Sequence, residues 1–200
     1  MATSIRGGII AAGAGSRLRA DGWRVPKPLV EVAGLPLIGA VLRNFTTAGI
    51  TAITIIVNQE ERDCIQWVGA RYPDLEVDFI VKTTASSLES FQEVTARGPD
   101  GPMLVSTVDA WCAAEDFARF AGQAAARPDE ATVLAVTPLV DDEKPLWVTL
   151  GAGGRVDAIG EPGGGLVIAG VYRISMRARR VAAAPPLGPP RGRTRRPCWR

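Results

Sequence analysis

Over residues 5–140 the chain alternates short apolar runs with longer stretches whose apolar residues recur every three or four positions, and few folds accept that alternation. Residues 5–11, 52–57, 76–82, 102–107 and 131–140 read as strands. Residues 36–48, 60–70, 86–96 and 114–125 read as helices. In the first helix Leu37, Ile38, Val41, Leu42 and Phe45 share one face, Pro36 suits the first turn and Gly49 closes the end. Strands separated by helices of this length predict a mostly parallel sheet covered on both faces. Past residue 145 the helices stop: 146–150, 155–159 and 166–174 are strand-like and separated by glycine-rich turns, which predicts antiparallel additions near the C-terminus. The expected fold is therefore α/β, a three-layer α/β/α open sheet.

Composition sets limits on the chemistry. The 200 residues are 46% hydrophobic and 22% charged, enough apolar material for one packed core. No run of about 18 apolar residues suggests a membrane span. Residues 9–12 read as a buried strand running into glycines, not as a leader peptide. Cys64, Cys112 and Cys198 are scattered and form no paired motif, so a reducing cytoplasm is the expected compartment. Histidine is absent altogether, which excludes Ser-His-Asp and Cys-His catalysis and histidine-bound zinc. Chemistry on this chain must use carboxylates, Lys, Arg, backbone amides or a hard metal ion.

The net charge of +2 conceals a division. Residues 177–200 hold eight Arg and five Pro with no acidic residue, leaving 15 basic and 21 acidic groups in residues 1–176. Two units are expected: a domain over 1–176, shortened at its C-terminal end, and an Arg/Pro-rich tail over 177–200 that lacks the apolar periodicity to order itself. The tail suits a nucleic-acid arm, a contact for an acidic partner, or a plain appendage such as a shifted reading frame yields. Nucleic-acid binding would rest on the tail alone, and no nucleic-acid partner is expected.

In open α/β sheets, ligands bind beyond the carboxyl ends of the strands where strand order reverses. The first strand runs into Ala12-Gly13-Ala14-Gly15-Ser16-Arg17-Leu18, whose amides could cradle phosphate and whose Arg17 adds a cationic fork. Leu18 occupies the third position of a dinucleotide fingerprint and no Gly-Lys-Ser/Thr follows, so the loop alone is equally a turn that needs small residues. Its continuation, Pro26-Lys27-Pro28-Leu29, braces one of only three lysines between two prolines, which suits a cation aimed at phosphate.

Residues 13–18 together with 26–29 resemble the signature of the nucleotidyltransferase superfamily, which includes the sugar-1-phosphate and phosphocholine nucleotidyltransferases and, more distantly, the molybdenum-cofactor guanylyltransferases. The resemblance spans roughly residues 5–175. It implies the Rossmann-like fold of nucleotide-diphospho-sugar transferases. It also implies magnesium-dependent transfer of a nucleoside monophosphate from a nucleoside triphosphate to a phosphorylated acceptor, a sugar phosphate or a phosphocholine-like molecule, with release of pyrophosphate. Ala12, Gly13, Ala14, Gly15, Ser16 and Arg17 would wrap the triphosphate, and Lys27 would stabilise charge on the reacting phosphates beside Arg17.

Asp109 follows the strand over 102–107 and matches the family's metal-binding aspartate, with capping of the next turn as the lesser alternative. Thr84, Ser86 and Ser87 lie where relatives contact base and ribose, and capping by Ser86 or Ser87 is the alternative. Glu161, Gly170 and Tyr172 resemble the acceptor side of sugar nucleotidyltransferases, but the lysine usual after that glutamate is replaced by glycine. No Asp or Glu follows Tyr172, so the family's second metal carboxylate is missing. That absence keeps open a rival reading, a non-catalytic or degenerate nucleotide-binding domain.

Overall fold

The computed structural model describes residues 5–13, 15–140, 145–160 and 164–183, with backbone alone for Ser16 and Arg17. The chain begins with β1 (Arg6–Ala11), a short helix α1 (Ser16–Ala20), a 3₁₀ turn (Lys27–Leu29) and a small hairpin, β2 (Glu31–Val32) and β3 (Leu35–Pro36). It continues through α2 (Leu37–Thr47), β4 (Ala52–Val57), α3 (Asp63–Arg71), β5 (Glu76–Val81), α4 (Ser87–Thr95), β6 (Met103–Thr107) and α5 (Ala114–Ala125). The last part comprises β7 (Val133–Thr137), β8 (Trp147–Leu150), β9 (Val156–Ile159), β10 (Leu166–Ile174) and α6 (Met176–Ala183).

The main sheet runs β5-β4-β1-β6-β10-β8-β9, with β7 also paired to β10. The first four strands are mutually parallel, and β10 joins β6 antiparallel, as do β7 and β8 to β10. The chain builds outward from β1 to β4 and β5, then returns to place β6 on the other side of β1. The reversal point therefore lies between the carboxyl ends of β1 and β6, the position at which such sheets open a crevice.

Alternation along the strands divides the core between two faces. Ile9, Ile53, Ile55 and Leu104 pack with Ile38, Leu42 and Phe45 of α2, Val68 of α3 and Phe117 of α5. Phe45 and Phe117 meet edge to face with ring centres 5.0 Å apart, a pairing worth about 0.5–1.5 kcal/mol beyond burial alone. On the other face Ile56, Ile80, Met103 and Val105 pack with Val94 of α4. Three layers result, as expected.

Helix α6 runs across the boundary expected at residue 176, from Met176 to Ala183. Arg179 is 6% exposed and donates to the carbonyls of Thr95, Arg97, Pro99 and Gly101, clasping the C-terminal end of α4. A guanidinium there meets carbonyls that the helix cannot pair itself and the negative end of its dipole. The remaining tail, 184–200, lies outside the described residues. So do Ala14 and Glu161, two of the expected site residues.

Candidate active site

Beyond β1 the backbone passes Ala12, which is buried, and Gly13, which is exposed. Apart from its chain neighbours, a Cβ built on Gly13 meets none of the described residues within 4 Å. Gly15 takes φ +57, and a Cβ there would stand 3.2 Å from that of Lys27. A side chain at position 15 would be strained in its backbone and would crowd the lysine. Ser16 and Arg17 open α1 with their backbone.

Lys27 is fixed by its surroundings. The 3₁₀ turn is closed by Leu29 N–H to Pro26 O at 2.8 Å and Val30 N–H to Lys27 O at 3.2 Å, and Pro28 is buried. The backbone N–H of Lys27 donates to the carboxylate of Glu61. With its main chain held on both sides, Lys27 extends Nζ to within 2.6 Å of Asp109 Oδ2. The two residues are 82 positions apart in sequence and meet across the reversal point of the sheet.

Asp109 follows β6, and its side chain is about half exposed. Burial opposes its ionisation, but the charge and hydrogen bond of Lys27 and a hydrogen bond from Thr107 prevail and hold its carboxyl below the ordinary range. The site thus keeps one carboxylate ionised and facing a crevice. Among the described residues no group of three His, Cys, Asp or Glu could hold a metal. Asp109 nevertheless fits magnesium, which takes one or two carboxylates and completes its shell with water and substrate phosphate.

Glu61 escaped the sequence reading. It is 2% exposed, and its Oε2 has no hydrogen-bond partner among the described residues. Burial raises its pKa above the ordinary value, against the lowering effects of the Lys27 amide and the charges of Arg19 and Lys27. The turn before it is an Asn58 device: Glu60 N–H donates to Asn58 Oδ1 at 3.2 Å and Glu61 N–H to Asn58 O at 3.0 Å. This turn starts α3 at Asp63 instead of residue 60.

The hydroxyl-rich segment after β5 lies on the same edge of the sheet, because β5 is parallel to β1 and β6. Ser86 caps α4, accepting Glu89 N–H at 3.2 Å, while Ala85 N–H donates to Glu89 Oε2 at 2.7 Å. Thr84 shares a 2.6 Å hydrogen bond with Ser90, and Ser87 is exposed. Capping accounts for Ser86, and nothing in its geometry points to a ligand.

On the other side of Asp109 opens a cavity of about 920 Å³, walled by the β6–α5 connection, α5, β7 and β10. Gly170 and Tyr172 both line it, as does Asp109. Gly170 sits at a register shift in β10 with φ +78, and a Cβ there would stand 2.6 Å from Thr107 Oγ1 and 3.2 Å from the Ala110 Cβ. The bulge bends β10 against the residue that bonds Asp109. Burial, and secondarily the Asp109 charge, push the Tyr172 hydroxyl up, so it stays protonated and able to donate. Asp109, Gly170 and Tyr172 thus line one cavity, and Lys27 is joined to its edge by the bond to Asp109.

The model of the MobA-like NTP transferase domain matches residues 7–164. The chain is 32% identical over 115 residues to a mannose-1-phosphate guanyltransferase of Gibberella zeae, covering 54% of this chain and 31% of that protein. It is 32% identical over 95 residues to a 2-aminoethylphosphonate cytidylyltransferase of Lancefieldella rimae, covering 45% and 38% respectively. A CMP-5'-(3-aminopropyl)phosphonate synthase of Streptomyces rubellomurinus is 28% identical over 93 residues, covering 46% of this chain and 15% of that protein. The chain therefore matches well under half the length of each of these relatives. Among solved structures, the inositol-1-phosphate CTP transferase from T. maritima superposes with a TM-score of 0.73 at 18% identity, over 90% of this chain and 75% of that one. The fold is that of the nucleotidyltransferases, and this chain belongs to the MobA-like NTP transferase domain family.

Proposed function

We propose that the chain transfers a nucleoside monophosphate from a nucleoside triphosphate to a phosphorylated small-molecule acceptor, releasing pyrophosphate, with Mg²⁺ as cofactor and in a reducing cytoplasm. The observation that carries this reading is the Lys27–Asp109 pair, which places a cation and an ionised carboxylate 2.6 Å apart at the reversal point of the sheet. The curated relatives named above are nucleotidyl-transfer enzymes acting on phosphates and phosphonates, which supports the same reaction class.

An oxygen of the acceptor's phosphate attacks the α-phosphorus in line; the bond from that phosphorus to the bridging oxygen breaks and pyrophosphate leaves. An ionised phosphate needs no general base, which suits a chain without histidine. The backbone around Gly13 and Gly15 receives the triphosphate, in space that the described residues beyond the chain neighbours leave open at Gly13. Lys27, preset by its prolines and by Glu61, neutralises charge that grows on the leaving oxygens. Asp109 would hold Mg²⁺, whose chemistry here is to neutralise and align the phosphate oxygens.

The test measures pyrophosphate release with each nucleoside triphosphate and a panel of phosphorylated acceptors, alongside melting curves with triphosphate and Mg²⁺. Saturating ligand at about 100 times its Kd stabilises by about 2.7 kcal/mol, which a melt resolves. Lys27→Ala and Asp109→Ala should abolish release while leaving the unliganded melt within about 1 kcal/mol of the parent, since a pair this exposed contributes little to folding. A melt that shifts with triphosphate while no acceptor yields pyrophosphate would instead establish the non-catalytic nucleotide-binding reading.

A further inference from the structure

The turn that joins β4 to α3 ends on the same edge of the sheet as the glycine loop, because β4 is parallel to β1. Its main chain is closed twice at Glu61, whose N–H donates to Asn58 O at 3.0 Å and whose carbonyl accepts Cys64 N–H at 3.1 Å. Asn58 is 4% exposed, and its Oδ1 accepts both Glu60 N–H at 3.2 Å and the Thr83 hydroxyl at 2.9 Å. The turn is thereby tied to the segment after β5, and Glu61 stands on a fixed main chain.

From that platform two contacts reach the segment between β1 and β2. Glu60 Oε2 accepts from Arg19 of α1 at 2.9 Å, but both side chains are at least half exposed and the pair holds little. The Glu61 carboxylate accepts the Lys27 N–H, and here the acceptor is buried. Its Oε2 has no hydrogen-bond partner among the described residues. A buried carboxyl with one oxygen unpaired costs the fold stability, and local costs of this kind collect at functional sites.

What this carboxyl fixes is the main chain of the site lysine. On the far side of the 3₁₀ turn Val30 O accepts Leu37 N–H at 3.0 Å, securing the turn against the start of α2. The lysine also stands so near the glycine loop that a Cβ on Gly15 would come within 3.2 Å of its own. Displacing the Lys27 amide therefore moves Nζ relative to that loop and to Asp109 together.

Resting on the nucleotidyl-transfer reading, we infer that Glu61 is a positioning residue of the reaction: from a rigid turn it accepts the Lys27 N–H and so sets where Nζ stands, acting as a hydrogen-bond acceptor and not through its charge. A misplaced Nζ loses most where charge grows on the leaving oxygens, so the effect falls on kcat more than on KM.

The experiment measures kcat and the KM for triphosphate with the full chain, Mg²⁺ and the triphosphate and acceptor that the parent uses best, at a temperature where each melt shows the protein folded. Glu61→Leu, which removes the acceptor, should lower kcat by about ten- to a hundredfold and change KM by less than about threefold. Glu61→Gln, which keeps an acceptor for the amide without the charge, should recover most of that loss. Glu61→Met replaces the leucine variant if that protein does not fold. A variant without the acceptor that keeps the parental kcat, a loss confined to KM, or a glutamine variant as poor as the leucine one would overturn the inference and leave nucleotidyl transfer standing. A parent that releases no pyrophosphate with any acceptor would overturn both.

Discussion

Gly170→Ala tests whether the bulge in β10 holds the Asp109 carboxylate in place. An alanine at φ +78 sits in the left-handed region, which costs an L-residue roughly 1–2 kcal/mol. Its Cβ would also stand 2.6 Å from Thr107 Oγ1 and 3.2 Å from the Ala110 Cβ, distances that force the neighbours to move. Overpacking of this kind costs about 1–3 kcal/mol. Since the bulge can absorb part of the displacement, the sum is about 2–4 kcal/mol, which lowers Tm by about 4–16 °C for a domain of this size. Because Thr107 bonds Asp109, pyrophosphate release should fall along with stability.

The assay is urea unfolding together with turnover for a double-mutant cycle with Thr107→Ala. Removing Oγ1 relieves the shorter contact but not the backbone strain, so the double variant should unfold at higher urea than the two single losses predict, while its activity stays low. Additive losses would refute the steric origin, and a Gly170→Ala protein as stable as its parent would refute the whole chain of reasoning. Gly13→Ala is the contrasting variant. Its Cβ meets nothing within 4 Å, so stability should stay within about 0.5 kcal/mol, while the space needed for triphosphate shrinks and turnover drops.

Glu61→Gln should stabilise the fold at neutral pH. With the folded pKa raised above 4.5, stability falls as pH rises through the window between 4.5 and the folded value, and the buried charge is a standing cost above it; urea unfolding at acid and neutral pH should show the advantage of Gln closing below the window. Ala33→Asn should stabilise by about 0.5–1 kcal/mol, because Ala33 (φ 51) and Gly34 (φ 76) form the two-residue hairpin turn that Asn-Gly suits best, and a melt unchanged or lowered would count against it. Arg179→Met should cost about 3–5 kcal/mol in chemical unfolding, since it strips the donor from four carbonyls at once; a loss under about 1 kcal/mol would show that water replaces the clasp. Cys64, buried and pushed up to about 12, should react with thiol reagents only on unfolding, whereas Cys112 should react in the folded protein.

The sheet was legible because its strands and helices carry different periodicities, and burial rewards each on its own face. The turns at Gly15 and around Lys27 were legible because glycine and proline constrain backbone locally. Glu61 was not. Within Gln59-Glu60-Glu61-Arg62 a carboxylate reads as a solvated turn, yet in the fold Glu61 is 2% exposed. Arg179 was misplaced for a related reason. An Arg-rich segment without apolar periodicity reads as unfolded, yet one guanidinium gains four carbonyl partners from α4 and the loop that follows, which no pattern within residues 176–183 announces. Strands β2 and β3, two residues each, leave no periodicity to detect.

The Lys27–Asp109 contact also bears on how an unliganded site stays ready for a polyanion and a dication. Burial alone would push a carboxyl up at this end of the sheet. The Asp109 carboxyl instead lies below its ordinary range, because Lys27 outweighs the penalty of burial. The pair is one-quarter and one-half exposed, so its separation costs no more than the order of 1 kcal/mol that half-exposed ion pairs contribute. On the proposed function, a triphosphate at Lys27 and a metal at Asp109 would each offer charge-assisted bonds in place of the one between the pair. A pair this exposed would open to them at small cost, which a fully buried pair could not do.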